Sequence, residues 1–379
     1  MKSAPVTIIG AGCAGLSLAA ELSKSEGSTV KVLGRPSPAE TTPHIWGFWQ
    51  MDWLEEPAQQ SHFSWSKWEF IAPGTPVVRH ESTTHPYHAL LSTEWLGTCR
   101  RNAQTADFND FDVDGPDLTT DEETEFVFDS RPPELDEPFM KQHFLGWEIR
   151  ASTPVFDPDV ARLMDFNTDQ SRGIHFIYLL PFDAQTALVE STMFSLTTEA
   201  DNWYEEAITA YLFDQFGLTS FDIQRTEKGC IPMALPDRPH SHYPAIGGNS
   251  GAVRPSSGYA FTFIQKQVKQ LAHAFVYTVD TPSALQVPRP HRTLDLMMDA
   301  VFLDVLSRAP MRAPDLFIKL ARALRGDELA LFMSGTAGPA TIIKIICAMP
   351  IGLFLQSAMR CCLKAIKSFI SMPKKGHIK

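Results

Sequence analysis

Three groups of residues have types and spacings from which chemistry can be read. The first is Gly10-Ala11-Gly12-Cys13-Ala14-Gly15, a GxGxxG that follows the apolar run 6–9 and opens a helical pattern over 14–24. In that context Gly10 permits a tight turn and Gly12 lets the backbone approach a pyrophosphate. Gly15 lets the helix pack on the sheet with its N-terminus toward phosphate charge. The competing reading is a glycine-rich turn before any helix. The second group is the loop 244–259, with Gly247, Gly248, Gly251 and Gly258, which runs into the apolar stretch 260–264. Such a loop can present backbone amides to a dinucleotide cofactor. The third is Glu190, near the end of the apolar run 187–192, where a charge has no structural excuse. A carboxyl in apolar surroundings has its pKa raised and becomes a usable proton donor. A strand-end glutamate in a surface salt bridge is the bland alternative. Glu148, Asp157, Asp165, Asp183 and Glu227 are secondary candidates, each with a ready structural explanation.

One part of the dinucleotide fingerprint is missing. An acid normally ends the second strand, about 20 residues after the glycines, and holds the adenosine ribose. Gly34-Arg35 stands there, and the nearest acid, Glu40, lies in a Ser/Pro/Thr loop. Either the ribose is held differently or Arg35 takes part in binding a phosphate. Farther on, Val127-Phe128-Asp129-Ser130-Arg131-Pro132 is similar to the strand-and-turn second motif of large FAD-binding oxidoreductases, which nominates Asp129 and Arg131.

The elements that must position these groups follow from hydrophobic pattern. Runs at 6–9 and 30–33 flank the helix 14–24 and predict a β-α-β unit. Residues 87–104 read as a helix, 105–125 as edge strands around Asp114-Gly115, and 126–128 as a strand. Runs at 144–150, 174–180 and 187–192 predict a separate antiparallel sheet; 200–217, 259–279 and most of 291–379 read as helices. This predicts a discontinuous nucleotide lobe from 1–50, 100–135 and 225–290. A substrate lobe from 51–99 and 136–224 and a helical region over 291–379 complete the chain.

At 379 residues, 44% hydrophobic and 11% aromatic, the chain has material for a large core and an oily pocket. A formal net charge of -11 argues against a nucleic-acid partner. Acids crowd 107–137, whereas the tail from Arg360 carries Lys364, Lys367, Lys374, Lys375 and Lys379 and no acid. The six cysteines show no CxxC pair and no metal-type spacing, which predicts no metal site and a reduced, cytosolic compartment. The N-terminus enters a strand at once, with no basic segment and cleavage site, so no signal peptide is expected.

In chain order, these motifs resemble those of the bacterial, FAD-dependent lycopene cyclases. The resemblance runs through the 10–15 fingerprint, His44-Ile45-Trp46-Gly47-Phe48-Trp49, Asp129-Ser130-Arg131 and the segment 142–149. It continues through Phe156-Asp157-Pro158, 163–166, 176–182, Ala187-Leu188-Val189-Glu190-Ser191-Thr192, Gly229-Cys230-Ile231-Pro232-Met233, the 247–259 loop and the tail to Pro350. Ser191 departs from plant members, which have a second glutamate there, and Gly34 departs from the usual acid.

The resemblance implies an α/β fold: a Rossmann-like FAD-binding domain, an interleaved antiparallel-sheet substrate domain and a helical C-terminal region. It implies closure of the linear ends of lycopene into β-rings by proton addition and loss. Reduced FAD is required, NAD(P)H serves only to reduce it, and there is no net redox change. Glu190 takes the place of the family's catalytic glutamate, with Glu148 and Asp165 behind it. Gly10, Gly12, Gly15, Arg35, Asp129, Arg131, Gly247, Gly248, Gly251 and Gly258 are the expected FAD contacts. Lycopene has no polar handle, so its site is expected to be an apolar tunnel. The aromatics of 46–70 with Phe144, Trp147, Phe176, Tyr178 and Phe182 can supply it and steady a carbocation, or serve partly as core.

Membrane-surface lipids and other carotenoid-pathway enzymes are the expected partners. The stretch 342–355 is apolar but broken by Lys344 and Pro350, too short for a clean span. A peripheral, monotopic attachment on the cytoplasmic side is therefore expected, with the basic tail on anionic headgroups. A buried core helix with a loose tail competes with it. Two other functions share the nucleotide fold: a flavin monooxygenase or carotenoid desaturase, which would change product mass, and a flavin- or lipid-binding membrane module, which would not need Glu190.

Overall fold

The computed structural model describes residues 5–25, 29–36, 43–104, 106–109, 126–133, 135–136, 138–236, 239–278 and 285–371, without the side chains at 35–36, 365 and 367–371. Most of the acidic stretch, the Arg35 side chain and the last lysines of the tail lie outside the described residues.

The N-terminal unit is β1 (Pro5–Ala11), α1 (Cys13–Ser23) and β2 (Thr29–Pro36), the predicted β-α-β. Residues 6–9 of β1 are buried without alternation, as suits a central parallel strand covered on both faces. Next come β3 (Ile45–Trp49), α2 (Glu55–Gln60), β4 (Phe63–Trp65), β5 (Lys67–Ile71), β6 (Val78–Glu81), β7 (Tyr87–Leu91) and α3 (Ser92–Asn102). The helix expected over 87–104 is thus a strand followed by a helix. Tyr87–Leu91 pairs antiparallel with both β3 and β4, and that pairing overrides the local pattern. Then follow β8 (Ala106–Asn109), β9 (Phe126–Asp129), β10 (Lys141–Ala151), β11 (Val160–Asp165), β12 (Ile174–Pro181), β13 (Thr186–Ser195), α4 (Asp201–Phe216) and β14 (Phe221–Pro232). Helices α5 (Phe261–Thr278), α6 (Thr293–Arg308), α7 (Ala313–Ala323), α8 (Gly326–Met333), α9 (Pro339–Ala348) and α10 (Ile351–Ser371) complete the order.

Among the described residues the strands form three sheets. A four-stranded sheet runs β8-β2-β1-β9, all parallel. A seven-stranded sheet runs β14-β10-β13-β12-β11-β5-β6, antiparallel except between β11 and β5. A small sheet, β3-β7-β4, completes the set. The expected boundaries at 50, 99 and 225 do not fall between these units. Residue 225 lies inside β14, which pairs with β10 along its length. Helix α3 packs on α1, where Trp95 Nε1 donates to Ser17 Oγ at 3.3 Å. β3 belongs to the small sheet rather than to the nucleotide lobe.

The seven-stranded sheet has two different faces because successive side chains alternate. Leu145, Trp147, Ile149, Ile177, Val189 and Met193 pack under α4 with Tyr204, Ile208 and Tyr211. Gly217, at φ +67°, ends α4 in the left-handed conformation that only glycine adopts without strain. The opposite face carries Phe144, Gly146, Phe176, Tyr178, Glu190 and Phe194, and it is this face that holds the cavity.

Candidate active site

The glycine turn is built as its spacing predicts. Gly10 has φ +99°, and a Cβ there would lie 2.5 Å from Ser130 Oγ; a Cβ on Gly15 would lie 2.0 Å from the Gly10 carbonyl oxygen. At Gly12 a Cβ would meet nothing within 4 Å. The first turn of α1 has no side-chain cap, so its amides face that open space. Gly34, at φ +144°, would place a Cβ 3.1 Å from the Ala11 amide nitrogen. That close approach of β2 to the turn, with its positive φ, would strain any side chain at position 34.

Asp129 and Arg131 come to the same place, but they hold each other. The Asp129 carboxylate accepts from Arg131 Nη2 at 2.7 Å, from Arg131 Nε at 3.0 Å and from Ser241 Oγ at 2.6 Å. These bonds keep the Asp129 carboxyl below its ordinary range against the opposing effect of burial. The backbone of Asp129 also binds Pro244, Ile246 and Asn249. The pair therefore anchors the 244–251 loop to β9. That loop reaches α1, since a Cβ on Gly247 would lie 2.4 Å from Ala14 Cβ. Gly251 turns against Leu235 and Pro236, Gly248 lies near Pro133, and Gly258 turns against Gln142. Of the expected cofactor contacts, Gly258 is among the residues lining the cavity.

The cavity measures about 470 Å³. It runs from Cys13 and Gly258 past Trp46, Trp49, Phe144, Phe176 and Tyr178 to Phe317 and Leu320 of α7 and Leu329 and Met333 of α8. Trp147 and Phe182 lie elsewhere: Trp147 packs under α4, and Phe182 stacks on Phe63 at 4.2 Å.

Glu190 lines this cavity at 7% exposure, accepting from Thr192 Oγ1 at 2.5 Å. Burial, with a smaller contribution from the charge of Glu227, pushes its carboxyl up to about 8; Thr192 opposes this. Cross-strand register explains its neighbours. Tyr178 on β12 and Gly146 on β10 lie directly opposite Glu190, and Gly146 lies opposite Glu227 on β14. Directly opposed residues in antiparallel strands share a face, so Glu227, Gly146, Glu190 and Tyr178 form one row.

Glu148 and Asp165 are not brought to the cavity lining. Glu148 accepts from Arg225 Nε at 3.1 Å, part of an ion pair at the edge of the row. Asp165 is buried toward α4 and satisfied by Tyr211 O–H at 2.6 Å and by the Asn167 backbone and side-chain nitrogens at 3.0 and 2.8 Å. Asp157 and Asp183 are exposed turn carboxylates that accept from backbone amides. Ser191 faces α4 as well, where His175 Nε2 and Ser191 Oγ lie 2.9 Å apart.

Sequence reasoning passed over Tyr87 and Gly146. Tyr87 O–H lies 2.9 Å from both Tyr178 O–H and Tyr259 O–H, and all three line the cavity. Burial pushes all three phenols well above 10, and the charge of Glu190 adds to it. Three neutral hydroxyls therefore face the acid. Gly47 makes room for them, since a Cβ there would lie 2.0 Å from Tyr87 O–H and 2.7 Å from Tyr178 O–H. Gly146, inside the strand pattern 144–150, was the available signal, because a glycine there marks a close approach.

Comparison with known proteins bears on the fold and the family. Solved structures of similar fold include a geranylgeranyl bacteriochlorophyll reductase-like protein from Thermoplasma acidophilum, with a TM-score of 0.59 and 13% identity over 91% of this chain and 96% of that one. A flavin-dependent brominase follows at 0.58 and 13%, over 90% and 97%. Among curated relatives, a lycopene beta-cyclase from Paracoccus sp. (strain N81106 / MBIC 01143) is 28% identical over 58% of this chain and 59% of its own length. One from Pseudescherichia vulneris is 30% identical over 31% and 32%. Neoxanthin synthase of Solanum lycopersicum is 28% identical over 72% and 60%. The chain thus matches between one third and three fifths of these relatives' lengths. The model of the family described as lycopene cyclase protein matches residues 5–359, and the chain belongs to that family.

Proposed function

We propose that the chain is a lycopene β-cyclase, closing the linear ends of lycopene into β-rings with reduced FAD and no net redox change. The observation that supports this best is Glu190: a carboxyl neutral at pH 7, inside an aromatic cavity that begins at the nucleotide turn. The open space beside Gly12 and the uncapped amides of α1 fit a cofactor pyrophosphate. Gly10, Gly12 and Gly15 would hold it there, and the 247–258 loop, braced by Asp129 and Arg131, would meet the ring. Reduced FAD, when bound, supplies a negatively charged ring beside a developing cation; NAD(P)H is its reductant.

Glu190 donates its proton to the terminal carbon–carbon double bond, whose electron pair forms the new C–H bond and leaves a cation on the adjacent carbon. The internal double bond attacks that carbon and closes the ring. A ring carbon beside the relocated cation then loses a proton to the Glu190 carboxylate left by the first step, which restores the acid, and the C–H pair becomes the ring double bond. Proton gain and loss balance. Trp46, Trp49, Tyr87 and Tyr178 line the cavity and offer ring faces to the cation.

Attachment to a membrane surface is proposed as well. Ile351, Leu355, Met359 and Leu363 repeat every fourth residue on α10 and are 74%, 57%, 53% and 58% exposed, an outward apolar stripe. Among the described residues no single helix is long and apolar enough to cross a membrane; α9 and the start of α10 qualify together but bend by 112°.

The test of the reaction is anaerobic. With chemically reduced FAD and no nicotinamide, many turnovers are expected, giving a cyclic product of the same mass as lycopene. Product formed only in proportion to added NADPH, or differing in hydrogen or oxygen content, transfers the assignment to a desaturase or monooxygenase.

A further inference from the structure

Position 191 cannot supply a second carboxylate to the cavity, because its side chain points under α4. The row across the sheet supplies one from another strand. Glu190 and Glu227 stand on either side of Gly146, which has no side chain to separate them. A Cβ on Gly146 would lie 3.3 Å from Cβ and Cγ of Glu190 and from Leu188 Cδ1, so the Glu190 side chain occupies the space that a side chain at 146 would take.

The two carboxylates are held in different ways. Glu227 Oε2 accepts from Arg225 Nη1 at 2.7 Å and from the Ile45 amide at 3.0 Å. Glu190 accepts only the Thr192 hydroxyl among the described residues. Arg225 also pairs with Glu148, so two acids share one guanidinium and Glu190 has none of it. Among the described residues, the cation that lines this cavity is Lys228, and its ammonium is taken by Asp201 at 3.0 Å. β12 and β7 bring Tyr178 and Tyr87, the loop before α5 brings Tyr259, and α7 and α8 bring apolar side chains. His44, also in the cavity lining, is held toward its neutral form by burial and by Arg225. Burial pushes the Glu227 carboxyl up as well, but Arg225 and the Ile45 amide oppose it, whereas only the Thr192 hydroxyl opposes the rise at Glu190, so Glu190 is the acid that keeps its proton.

We propose that Glu227 is a positioning residue for Glu190: an ionised carboxylate, pinned by Arg225 and the Ile45 amide, that acts across Gly146 to hold Glu190 in its acid form. Glu227 does not line the cavity and acts through Glu190 rather than on the substrate. Two acids pushed apart in this way are a known route to proton donation at neutral pH. The inference rests on Glu190 being the proton donor.

The test is the pH profile of cyclisation by the flavin-reduced holoenzyme. Wild type should lose activity as Glu190 ionises, near pH 8. In Glu227→Gln this basic limb should move down by roughly 1 unit, so that the variant matches wild type near pH 6 and falls about tenfold below it by about pH 9. Glu227→Asp keeps the charge and should restore the limb. A uniform loss of rate with the limb in place would make Glu227 merely structural and overturn the proposal. A second measurement needs no folded variant at position 227. Infrared titration of the wild type should show one protonated carboxyl band, absent in Glu190→Gln, and no second band at neutral pH. A second buried carboxyl protonated at neutral pH would overturn the proposal too. Wild-type turnover in Glu190→Gln removes the underlying reading; an inactive Glu190→Gln with an unmoved limb in Glu227→Gln removes only this one.

Discussion

Glu190 is costly to keep in the cavity. Unfolded, its carboxyl titrates near 4.5; folded, at about 8. Between those values the native state holds a proton that the unfolded chain has released. The stability tied to this group is therefore full below 4.5 and lost as pH rises to about 8. Glu190→Gln removes this dependence. Its melting temperature should exceed that of wild type near pH 9 and converge on it toward pH 5, while cyclisation falls by about 10²–10⁴-fold. A melting difference that stays constant across that range would mean that Glu190 is not protonated in the folded state. The residue was legible because a lone acid stands in an apolar run. Glu227 as its neighbour was not, since 37 positions separate them in the chain and only the β14-β10-β13 order brings them into one row.

Among the elements, the β1-turn-α1 unit was legible nearly to the residue, because glycine spacing and flanking patterns agree. Residues 87–104 were not. Tyr87-His88-Ala89-Leu90-Leu91 is a short apolar run, and periodicity alone cannot separate such a run from the helix it adjoins. The cost was Tyr87, whose hydroxyl joins the other two beside Glu190. The turn itself gives a clean experiment, because its glycines differ in what surrounds them. Gly12 has φ -90° and open space where a side chain would go. Gly12→Val should therefore fold normally and lose bound flavin, as read from the flavin absorbance of the purified protein. Gly15→Val should fail earlier, at folding, because its Cβ would collide with the Gly10 carbonyl. A Gly12→Val protein that keeps a full complement of flavin would mean that the turn does not carry the pyrophosphate.

At the scale of the whole molecule, the nucleotide lobe, the cavity and the C-terminal helices are joined. Buried Arg254, in the glycine-rich loop, pairs with Asp299 on α6 at 3.3 Å and donates to the Phe332 carbonyl on α8. Ser256 Oγ donates to the same Asp299 at 2.7 Å. Helix α10 is held to this body by Arg360, which pairs with Asp304 of α6 at 2.8 Å, while its stripe from Ile351 to Leu363 faces outward. The basic tail suggested attachment by charge. The stripe adds an apolar contribution that the composition of the tail could not indicate, since it depends on which face of α10 the α6 contact leaves uncovered. The two contributions separate experimentally. Neutralising Lys364, Lys367, Lys374 and Lys375 should weaken binding to anionic vesicles and leave zwitterionic ones little changed, at about 1 kcal/mol per lysine near the surface. Replacing Ile351, Leu355 and Leu363 by serine should weaken binding to both vesicle types, because burial of apolar area does not depend on headgroup charge. Each exposed leucine or isoleucine that enters the interface contributes at most about 1.5–3 kcal/mol, and each 1.4 kcal/mol lost is about tenfold in affinity. Unchanged binding of the serine variant to both vesicle types, with its fold intact by circular dichroism, would assign the stripe to a protein partner or a second copy of the chain instead of a membrane.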